Sequence, residues 1–296
     1  MKYTVLFNPL AGHDGGNTVM GRLKLLLPDD ELEFADLTQI ADVQSHINGL
    51  APDVNIIIAG GDGTLNRFVN AVDCDGISHP VYLFAAGSGN DFFNDLRDNM
   101  SELLPEAAIA DNAEQSGALL HINNYIINLP TVTVKGKTYK FINGIGFGID
   151  GYCCEVGDKL KAEGKKVNYT GIAIKGLLFH FKPKNATVTV DGVTTEFKKV
   201  WVAPAMNGRY YGGGMIPTPA QSRKTREKLS ACLFYGKGRI ATLIAFPSIF
   251  KGEHIKKTKM VKILEGREIT VRFDAPCALQ IDGETILDVT EYTARI

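Results

Sequence analysis

Apolar runs and amphipathic segments alternate along the first third of the chain. Four short runs have the apolar or alternating pattern of β-strands, at 3–8, 31–36, 54–59 and 81–86. The runs at 54–59 and 81–86 are almost wholly apolar, which is typical of strands buried on both faces. Helical spacing of apolar residues appears at 18–27 and again from Leu65 to Val72. This β-α-β-α order predicts a parallel sheet with helices on its faces.

The pattern changes near residue 120 to short alternating segments separated by turn signals. Two Asp-Gly pairs, at 191–192 and 282–283, lie between alternating runs and predict two β-hairpins. We therefore predict an α/β plus all-β chain. Its N-terminal parallel-sheet α/β domain covers 1–122, and a mostly antiparallel β domain covers 123–296.

Composition narrows the classes of protein to which the chain can belong. The 296 residues are 45% hydrophobic and 22% charged, as in globular proteins, and a net charge of −1 argues against a nucleic-acid binder. Five cysteines without a C-x-x-C pair argue against a disulfide framework or structural zinc, and predict reduced thiols in a cytoplasmic protein. No apolar run approaches the roughly 20 residues of a membrane span.

Three glycine-containing loops follow the predicted parallel strands, at 8–16, 60–64 and 87–91. Ligands of such sheets bind beyond the carboxyl ends of the strands, and glycine loops before helices bring backbone N–H groups to phosphates. Asp62 would repel bare phosphate, so it makes best sense beside Mg²⁺ or beside a hydroxyl to be activated. Spacing leaves a second interpretation open, in which Asp62 or Thr64 merely caps the following helix. Asn90 or Asp91 could likewise cap the next one.

Two later features also have an ordinary interpretation. Asp282-Gly283 between alternating runs is most simply a hairpin turn, with Glu284 a solvated residue at the start of a strand. A lysine cluster at 256–262 is either a solvated face or a surface attracted to anionic lipid heads. The apolar segment 171–181 fits a core position or a lipid channel.

The ordered set of segments resembles the diacylglycerol kinase catalytic family, specifically the bacterial diacylglycerol and sphingosine-type lipid kinases. The resemblance rests on N-P-L-A-G at 8–12, G-G-D-G-T-L-N at 60–66, G-S-G-N-D-F at 87–92, N-G-I-G-F-G-I-D at 143–150, N-G-R-Y-Y-G-G-G-M at 207–215 and D-G-E at 282–284. The G-G-D-G-T segment alone is shared with NAD kinases and, more loosely, phosphofructokinases. The ordered set is much more specific.

The resemblance implies a C-terminal β-sandwich domain, a nucleotide cleft between the two domains, and a kinase that transfers the γ-phosphate of ATP to a lipid alcohol such as diacylglycerol. Asp62 would organise Mg²⁺ and the phosphates, Glu284 would be the general base, and Asp150 would touch the substrate head group. The implied ATP-binding residues are Asn8, Pro9, Leu10, Ala11, Gly12, Thr38, Gly60, Gly61, Gly63, Thr64, Leu65, Asn66 and Ser88.

Two departures from the family pattern matter. The segment 219–229 lacks an Asp-Gly pair whose aspartate helps to hold a structural Mg²⁺, so we do not expect that site to be intact. Arg67 stands where the family usually has glutamate, and could change nucleotide or domain contacts.

The expected partners are a lipid alcohol and, transiently, the inner face of a membrane, with no nucleic acid. The oligomeric state stays open and includes a homodimer, and the extreme C-terminus could pack back on the first domain. Two alternatives remain: a soluble small-molecule kinase of the NAD-kinase type, and a non-catalytic nucleotide-binding relative.

Overall fold

The computed structural model describes residues 1–9, 15–87, 89–99, 118–224 and 226–296. It divides into two compact units, Met1–Leu129 and Pro130–Ile296, whereas the sequence placed the division after residue 122. The intervening residues stay with the first unit because its sheet holds them there. Asn123 Oδ1 accepts a hydrogen bond from the backbone N–H of Val81 at 2.6 Å, beside the last strand of that sheet.

The first unit is a five-stranded sheet flanked by helices, in the order β2-β1-β3-β4-β5. Its strands are β1 (Lys2–Phe7), β2 (Glu31–Asp36), β3 (Val54–Gly60), β4 (Val81–Ala85) and β5 (Leu119–His121). Its helices are α1 (Gly15–Leu26), α2 (Val43–Asn48), α3 (Asp62–Ala71), α4 (Asp91–Asp98) and α5 (Asn123–Ile126), with a 3₁₀ turn at Cys74–Gly76. The first four strands are parallel and β5 is antiparallel, so the predicted parallel α/β sheet is confirmed.

The second unit is an antiparallel sheet of ten strands with helices packed against it. Its strands are β6 (Thr131–Val134), β7 (Lys137–Lys140), β8 (Gly144–Phe147), β9 (Lys184–Val190), β10 (Val193–Val200), β11 (Ala205–Met206), β12 (Leu229–Phe234), β13 (Val261–Gly266), β14 (Glu268–Ile281) and β15 (Glu284–Arg295). The main path runs β13-β12-β11-β8-β14-β15-β6-β7, and β9 joins it through β14. The last strand, β15, thus lies inside the second unit between β14 and β6.

Both predicted Asp-Gly hairpins are present. The two turn residues have positive φ in each case, 46° and 84° at 191–192, and 47° and 98° at 282–283. Two successive positive φ values define the tight turn that matches the twist of antiparallel strands. The flanking residues pair directly, as Ile281 with Glu284 in the second hairpin.

The helices of the second unit were not predicted from the sequence. They are α6 (Ile149–Ala162), α7 (Tyr169–Lys175) and α8 (Arg239–Ala245), with a π-helical turn at Gly176–His180 and 3₁₀ turns at Phe246–Lys251 and Glu253–Lys256. The apolar segment 171–181, for which the sequence left a core position and a lipid channel open, is part buried and part exposed. Leu177 and Phe181 are buried, while Ile174 and Phe179 are exposed. None of the helices in the described ranges is long and apolar enough to span a membrane.

Helix α6 lies unusually close to strand β14. A methyl group added at Gly151, in the first turn of α6, would overlap the carbonyl group of Ala278 on β14. Only glycine therefore allows the two backbones to approach at this point. Since β14 leads directly into the 282–283 turn, this contact fixes the helix against that hairpin.

We expect Gly151→Ala to lower the free energy of unfolding by about 3 kcal/mol or more, because helix and strand must separate to admit the methyl group. Gly21→Ala is the matched control, since Gly21 is also helical but has open space around it. That change should be neutral or stabilise by up to about 1 kcal/mol. Urea unfolding of both proteins checks the pair, and equal stabilities would contradict the close approach.

Candidate active site

The carboxyl ends of four parallel strands meet at one edge of the first sheet. In the strand register, Phe7 at the end of β1 pairs with Asp36 of β2 and with Ala59 of β3, and Gly60 of β3 pairs with Ala85 of β4. The segments that follow these strands are consequently neighbours. They include Asn8, Pro9, the 60–64 loop and Gly87, which belong to the three loops with candidate phosphate contacts.

Asp62 links the two central loops by a pair of hydrogen bonds. Its Oδ2 accepts from the backbone N–H of Asp91 at 2.8 Å, and its Oδ1 accepts from that of Phe92 at 2.9 Å. These are the first two N–H groups of α4, which have no partner inside the helix. Asp62 thus caps α4, 29 residues further along the chain, while the N-cap position of its own helix α3 is Gly61.

The remaining contacts hold the same two loops together. Asn90 has a left-handed backbone, with φ 52° and ψ 40°, and its side chain closes the loop on Gly87 through bonds of 2.9 and 2.7 Å. A methyl group at Gly61 would lie 2.9 Å from the Cα of Gly87. The two glycine loops therefore meet backbone to backbone, which side chains at these positions would prevent.

The other predicted nucleotide contacts differ in accessibility. Thr64, Leu65 and Asn66 are buried, and the Thr64 hydroxyl lies under Gly60 with no hydrogen-bond partner among the described residues. Thr38 is half-buried, and its hydroxyl donates to Asp36 Oδ1 at 2.7 Å. Those that are half-buried or exposed at this edge are Asn8, Pro9, Thr38, Asp62 and Gly63. Leu10, Ala11, Gly12 and Ser88 lie outside the described residues.

In the second unit, Asp282 plays a role like that of Asp62. Its carboxylate accepts hydrogen bonds from the backbone N–H groups of residues 142, 143 and 144, at 2.6, 2.8 and 3.0 Å. The backbone N–H of Gly283 donates to Gln280 Oε1 at 2.7 Å. The hairpin turn is thus fixed from both sides, and Glu284, which follows it, is exposed.

Asp150 and Glu284 both border helix α6. Asp150 lies in its first turn, and Thr285 Oγ1 donates to Asp158, further along the helix, at 2.6 Å. Cys154 lies near enough to these carboxylates for its thiol to be affected by their charges. Burial raises the pKa of its thiol to about 12, and the negative charges of Asp150, Asp158 and Glu284 add to the increase. The structure therefore brings the two predicted substrate-side carboxylates to one region of the second unit.

Asp150 is buried and is paired with a tyrosine that the sequence did not single out. The Tyr211 hydroxyl donates to Asp150 Oδ2 at 2.7 Å. Burial raises the pKa of Asp150 to about 7, and the hydrogen bond from Tyr211 partly offsets that rise. A carboxyl group with this pKa can hold or release a proton near neutral pH.

Arg223 occupies the segment in which the sequence lacks the expected metal-binding aspartate. Its guanidinium is buried and donates to the carbonyl oxygen of Ile142 at 2.5 Å and to Asn143 Oδ1 at 2.7 Å. Asn207 Nδ2 donates to the same Ile142 oxygen at 3.0 Å. These oxygens are engaged by a side-chain cation, so the donor set does not fit a structural Mg²⁺. Across the described part of the chain, no three His, Cys, Asp or Glu side chains are grouped to hold a metal ion.

Comparison with protein families covers both units. The diacylglycerol kinase catalytic domain model matches residues 2–118, and the model described as the YegS C-terminal NAD kinase beta sandwich-like domain matches residues 143–293. The chain belongs to the diacylglycerol kinase catalytic family. The 60–64 loop, from which Asp62 caps α4, lies within the region that the catalytic domain model matches.

Related proteins match this chain over nearly its whole length. "Putative lipid kinase YtlR" of Bacillus subtilis (strain 168) is 25% identical over 97% of this chain and 94% of its own. "Putative lipid kinase SaurJH9_0749" of Staphylococcus aureus (strain JH9) is 26% identical over 92% of this chain and 83% of its own. The solved structure of "a putative diacylglycerol kinase from Bacillus anthracis str. Sterne" shares the fold, with a TM-score of 0.64 at 19% identity, covering 99% of this chain and 93% of that one.

The roles of three residues in the candidate site were not predicted from the sequence. Tyr211, Arg223 and Asp282 act through partners that lie 61, 81 and about 140 residues away. Local spacing carries no signal for such pairs. The D-G-E segment was the only signal near Asp282, and the resemblance gave a role, that of general base, to Glu284 alone.

The raised pKa of Asp150 predicts a pH dependence of stability. The pKa of Asp150 in the folded chain, about 7, exceeds the ordinary aspartate value of 3.8. Between these two pH values the folded chain binds more protons than the unfolded chain, so stability falls as pH rises toward and through 7. Asp150→Asn removes the titrating group. The free energy of unfolding of the Asp150→Asn protein, relative to that of the wild type, should therefore increase by about 2 kcal/mol between about pH 5 and pH 8.

Urea unfolding across that pH range checks this expectation. Tyr211→Phe should steepen the fall, because it removes the hydrogen bond that favours the charged carboxylate. Parallel pH curves for the wild type and the Asp150→Asn protein would contradict it.

Proposed function

We propose that this chain is an ATP- and Mg²⁺-dependent kinase of phospholipid metabolism that phosphorylates the hydroxyl group of a lipid alcohol such as diacylglycerol. The observation that carries the proposal is the Asp62 carboxylate, held by two N–H groups of α4 between two glycine loops of a diacylglycerol kinase catalytic domain. The printed names of the relatives, lipid kinases, support the choice of substrate class. ATP as donor implies work on the cytoplasmic side of a membrane.

The first unit would bind the nucleotide. Gly61 and Gly87 approach each other backbone to backbone, and α3 and α4 begin nearby with their N-termini at the carboxyl edge of the sheet. Helix N-termini and backbone N–H groups attract phosphate. Asn8, Pro9, Thr38 and Gly63 would complete the contacts.

Asp62 fits a role beside magnesium. Mg²⁺ is usually held by one or two carboxylates together with substrate phosphates, and a carboxylate oxygen can accept more than one interaction. The bound ion would neutralise charge on the phosphates during transfer. The two N–H donors fix the Asp62 carboxylate in advance, so no rearrangement of α4 is needed for it to serve as a ligand.

Glu284 would act as the general base. It is exposed immediately after a turn that Asp282 and Gln280 hold rigidly. A Glu284 carboxylate oxygen would take the proton of the lipid hydroxyl while the hydroxyl oxygen forms its bond to the γ-phosphorus. The bond between the γ-phosphorus and the β,γ-bridging oxygen breaks, and ADP leaves. Asp150, in the first turn of helix α6, would meet the polar head of the substrate.

The runner-up is a soluble kinase of the NAD-kinase type. One observation favours it: the model that matches residues 143–293 is described as NAD kinase beta sandwich-like. Supplying NAD and ATP in place of lipid and ATP separates the two functions.

The test is transfer of label from γ-³²P-ATP with Mg²⁺ to a panel of lipid alcohols in mixed micelles: diacylglycerol, a sphingoid base, phosphatidylglycerol and a polyprenol. We expect one of them to be labelled. Asp62→Asn and Glu284→Gln should each slow transfer by at least about a hundredfold, through lost positioning and a lost base respectively.

Two matched controls accompany those variants. Asp42→Asn alters another helix-capping aspartate of the first unit, whose carboxylate accepts from the backbone N–H of Ser45. Glu196→Gln alters an exposed glutamate on the strand after the other Asp-Gly turn. Both should keep wild-type transfer. Near-normal activity of the Glu284→Gln protein would remove it from the base role, and ATP binding without transfer to any alcohol would leave a non-catalytic relative.

A further inference from the structure

Exposed apolar side chains are concentrated on one part of the second unit. The segments 169–184 and 235–262, here called the α7–α8 face, contain α7, the π-helical turn, α8 and both following 3₁₀ turns. Most of the large apolar residues that are exposed among the described residues lie on it: Tyr169, Ile174, Phe179, Ile240, Ile244, Phe250 and Ile255. Single exposed apolar residues need no explanation, but a contiguous group indicates an interaction surface.

The two segments pack side by side, so the group is one surface. Buried residues of both belong to a single core, with Leu177 and Phe181 from the first and Phe246 and Ile249 from the second. Arg239 at the start of α8 donates to the carbonyl oxygen of Leu177 at 2.8 Å. The interior sides of these elements are thus satisfied, and their outer sides carry the exposed residues.

The most exposed of these side chains stand well clear of the core. Ile240 and Ile244 are 64% and 74% exposed, and Phe179 is 71% exposed. Ile240 and Ile244 are four residues apart on α8 and therefore share one side of that helix. Their burial would contribute to binding any apolar partner.

The charge of the α7–α8 face is strongly positive. Its two segments hold ten lysines and arginines but only one acidic residue, Glu253, although the whole chain has 32 basic and 33 acidic residues. Lys256 pairs with that glutamate at 3.5 Å, a weak surface contact. The exposed lysines of the face include Lys175, Lys251 and Lys257. Any partner should consequently be anionic.

An anionic lipid bilayer matches both properties together. A second copy of the chain that docked through the same face would bring positive charge against positive charge. Nucleic acid would satisfy the lysines but not the isoleucines and Phe179. Surfaces that rest on membranes combine exposed apolar side chains with lysines around them.

We propose that the α7–α8 face docks on the surface of an anionic phospholipid bilayer, with Phe179, Ile240 and Ile244 entering the head-group region and the lysines contacting anionic head groups. The inference rests on the proposed lipid kinase function for its purpose, which is access to a substrate held in the membrane. Docking itself needs neither nucleotide nor catalysis, so it can be measured alone.

The experiment is co-sedimentation of the full chain, without ATP, with vesicles of phosphatidylcholine alone and of phosphatidylcholine mixed with phosphatidylglycerol. We expect at least about tenfold tighter binding to the mixed vesicles, weakened by added salt. Ile240→Ser/Ile244→Ser should weaken that binding at least about tenfold.

Matched variants keep the test specific. Val193→Ser/Leu287→Ser removes two exposed apolar residues elsewhere in the second unit and should bind as the wild type does. Lys257→Glu/Lys259→Glu should reduce binding to the mixed vesicles. Lys137→Glu/Lys198→Glu, with the same change of net charge at exposed positions outside the face, should reduce it much less. Thermal unfolding verifies that all four variants are folded.

Several outcomes would overturn the proposal: no preference for phosphatidylglycerol, equal losses in face and control variants, or a dimer in analytical ultracentrifugation that Ile240→Ser/Ile244→Ser abolishes. Labelling of monomeric dioctanoylglycerol by the wild type tests the chemistry without a bilayer. Vesicle binding without labelling of dioctanoylglycerol or of any alcohol in the micelle panel would support the docking face and refute the proposed function. Labelling without vesicle binding would do the reverse.

Discussion

The capture of backbone N–H groups by an aspartate carboxylate is the interaction on which both units depend. Asp62 accepts from the first two N–H groups of α4, and Asp282 accepts from three consecutive N–H groups at 142–144. Such groups must find partners when they lose water, and bonds to a carboxylate are about twice as strong as neutral ones. In each unit, one charged side chain thus replaces solvent for a segment distant in sequence.

This constraint determines where the candidate chemistry lies. In the first unit it joins the 60–64 loop to α4, where Gly61 and Gly87 also approach each other closely. In the second unit it fixes the turn that precedes Glu284, while Thr285 ties the start of β15 to α6. Arg223 reinforces the same region through Ile142 and Asn143, beside the N–H groups that Asp282 holds.

Much of the fold followed from local pattern, and much of the site did not. Apolar runs predicted β1 to β4, and positive-φ turn chemistry predicted both Asp-Gly hairpins, since these depend on neighbours in sequence. Helices α6 to α8 were not predicted, because the second half of the sequence was interpreted from its alternating segments and turn signals, among which these helices lie. Spacing suggested that Asp62 or Thr64 caps α3, but Asp62 caps α4 and the Thr64 hydroxyl is buried. Pairings between residues far apart in sequence are decided by tertiary structure, which local spacing cannot encode.

Hydrogen–deuterium exchange at the backbone N–H groups of Asp91 and Phe92 tests the central claim most directly. In the wild type, the Asp62 carboxylate should protect both. In an Asp62→Ala protein they should exchange about tenfold faster or more, while N–H groups within β3 keep their wild-type rates. Unchanged exchange at Asp91 and Phe92 would contradict the account, because Asp62 would then not be what holds the two glycine loops together.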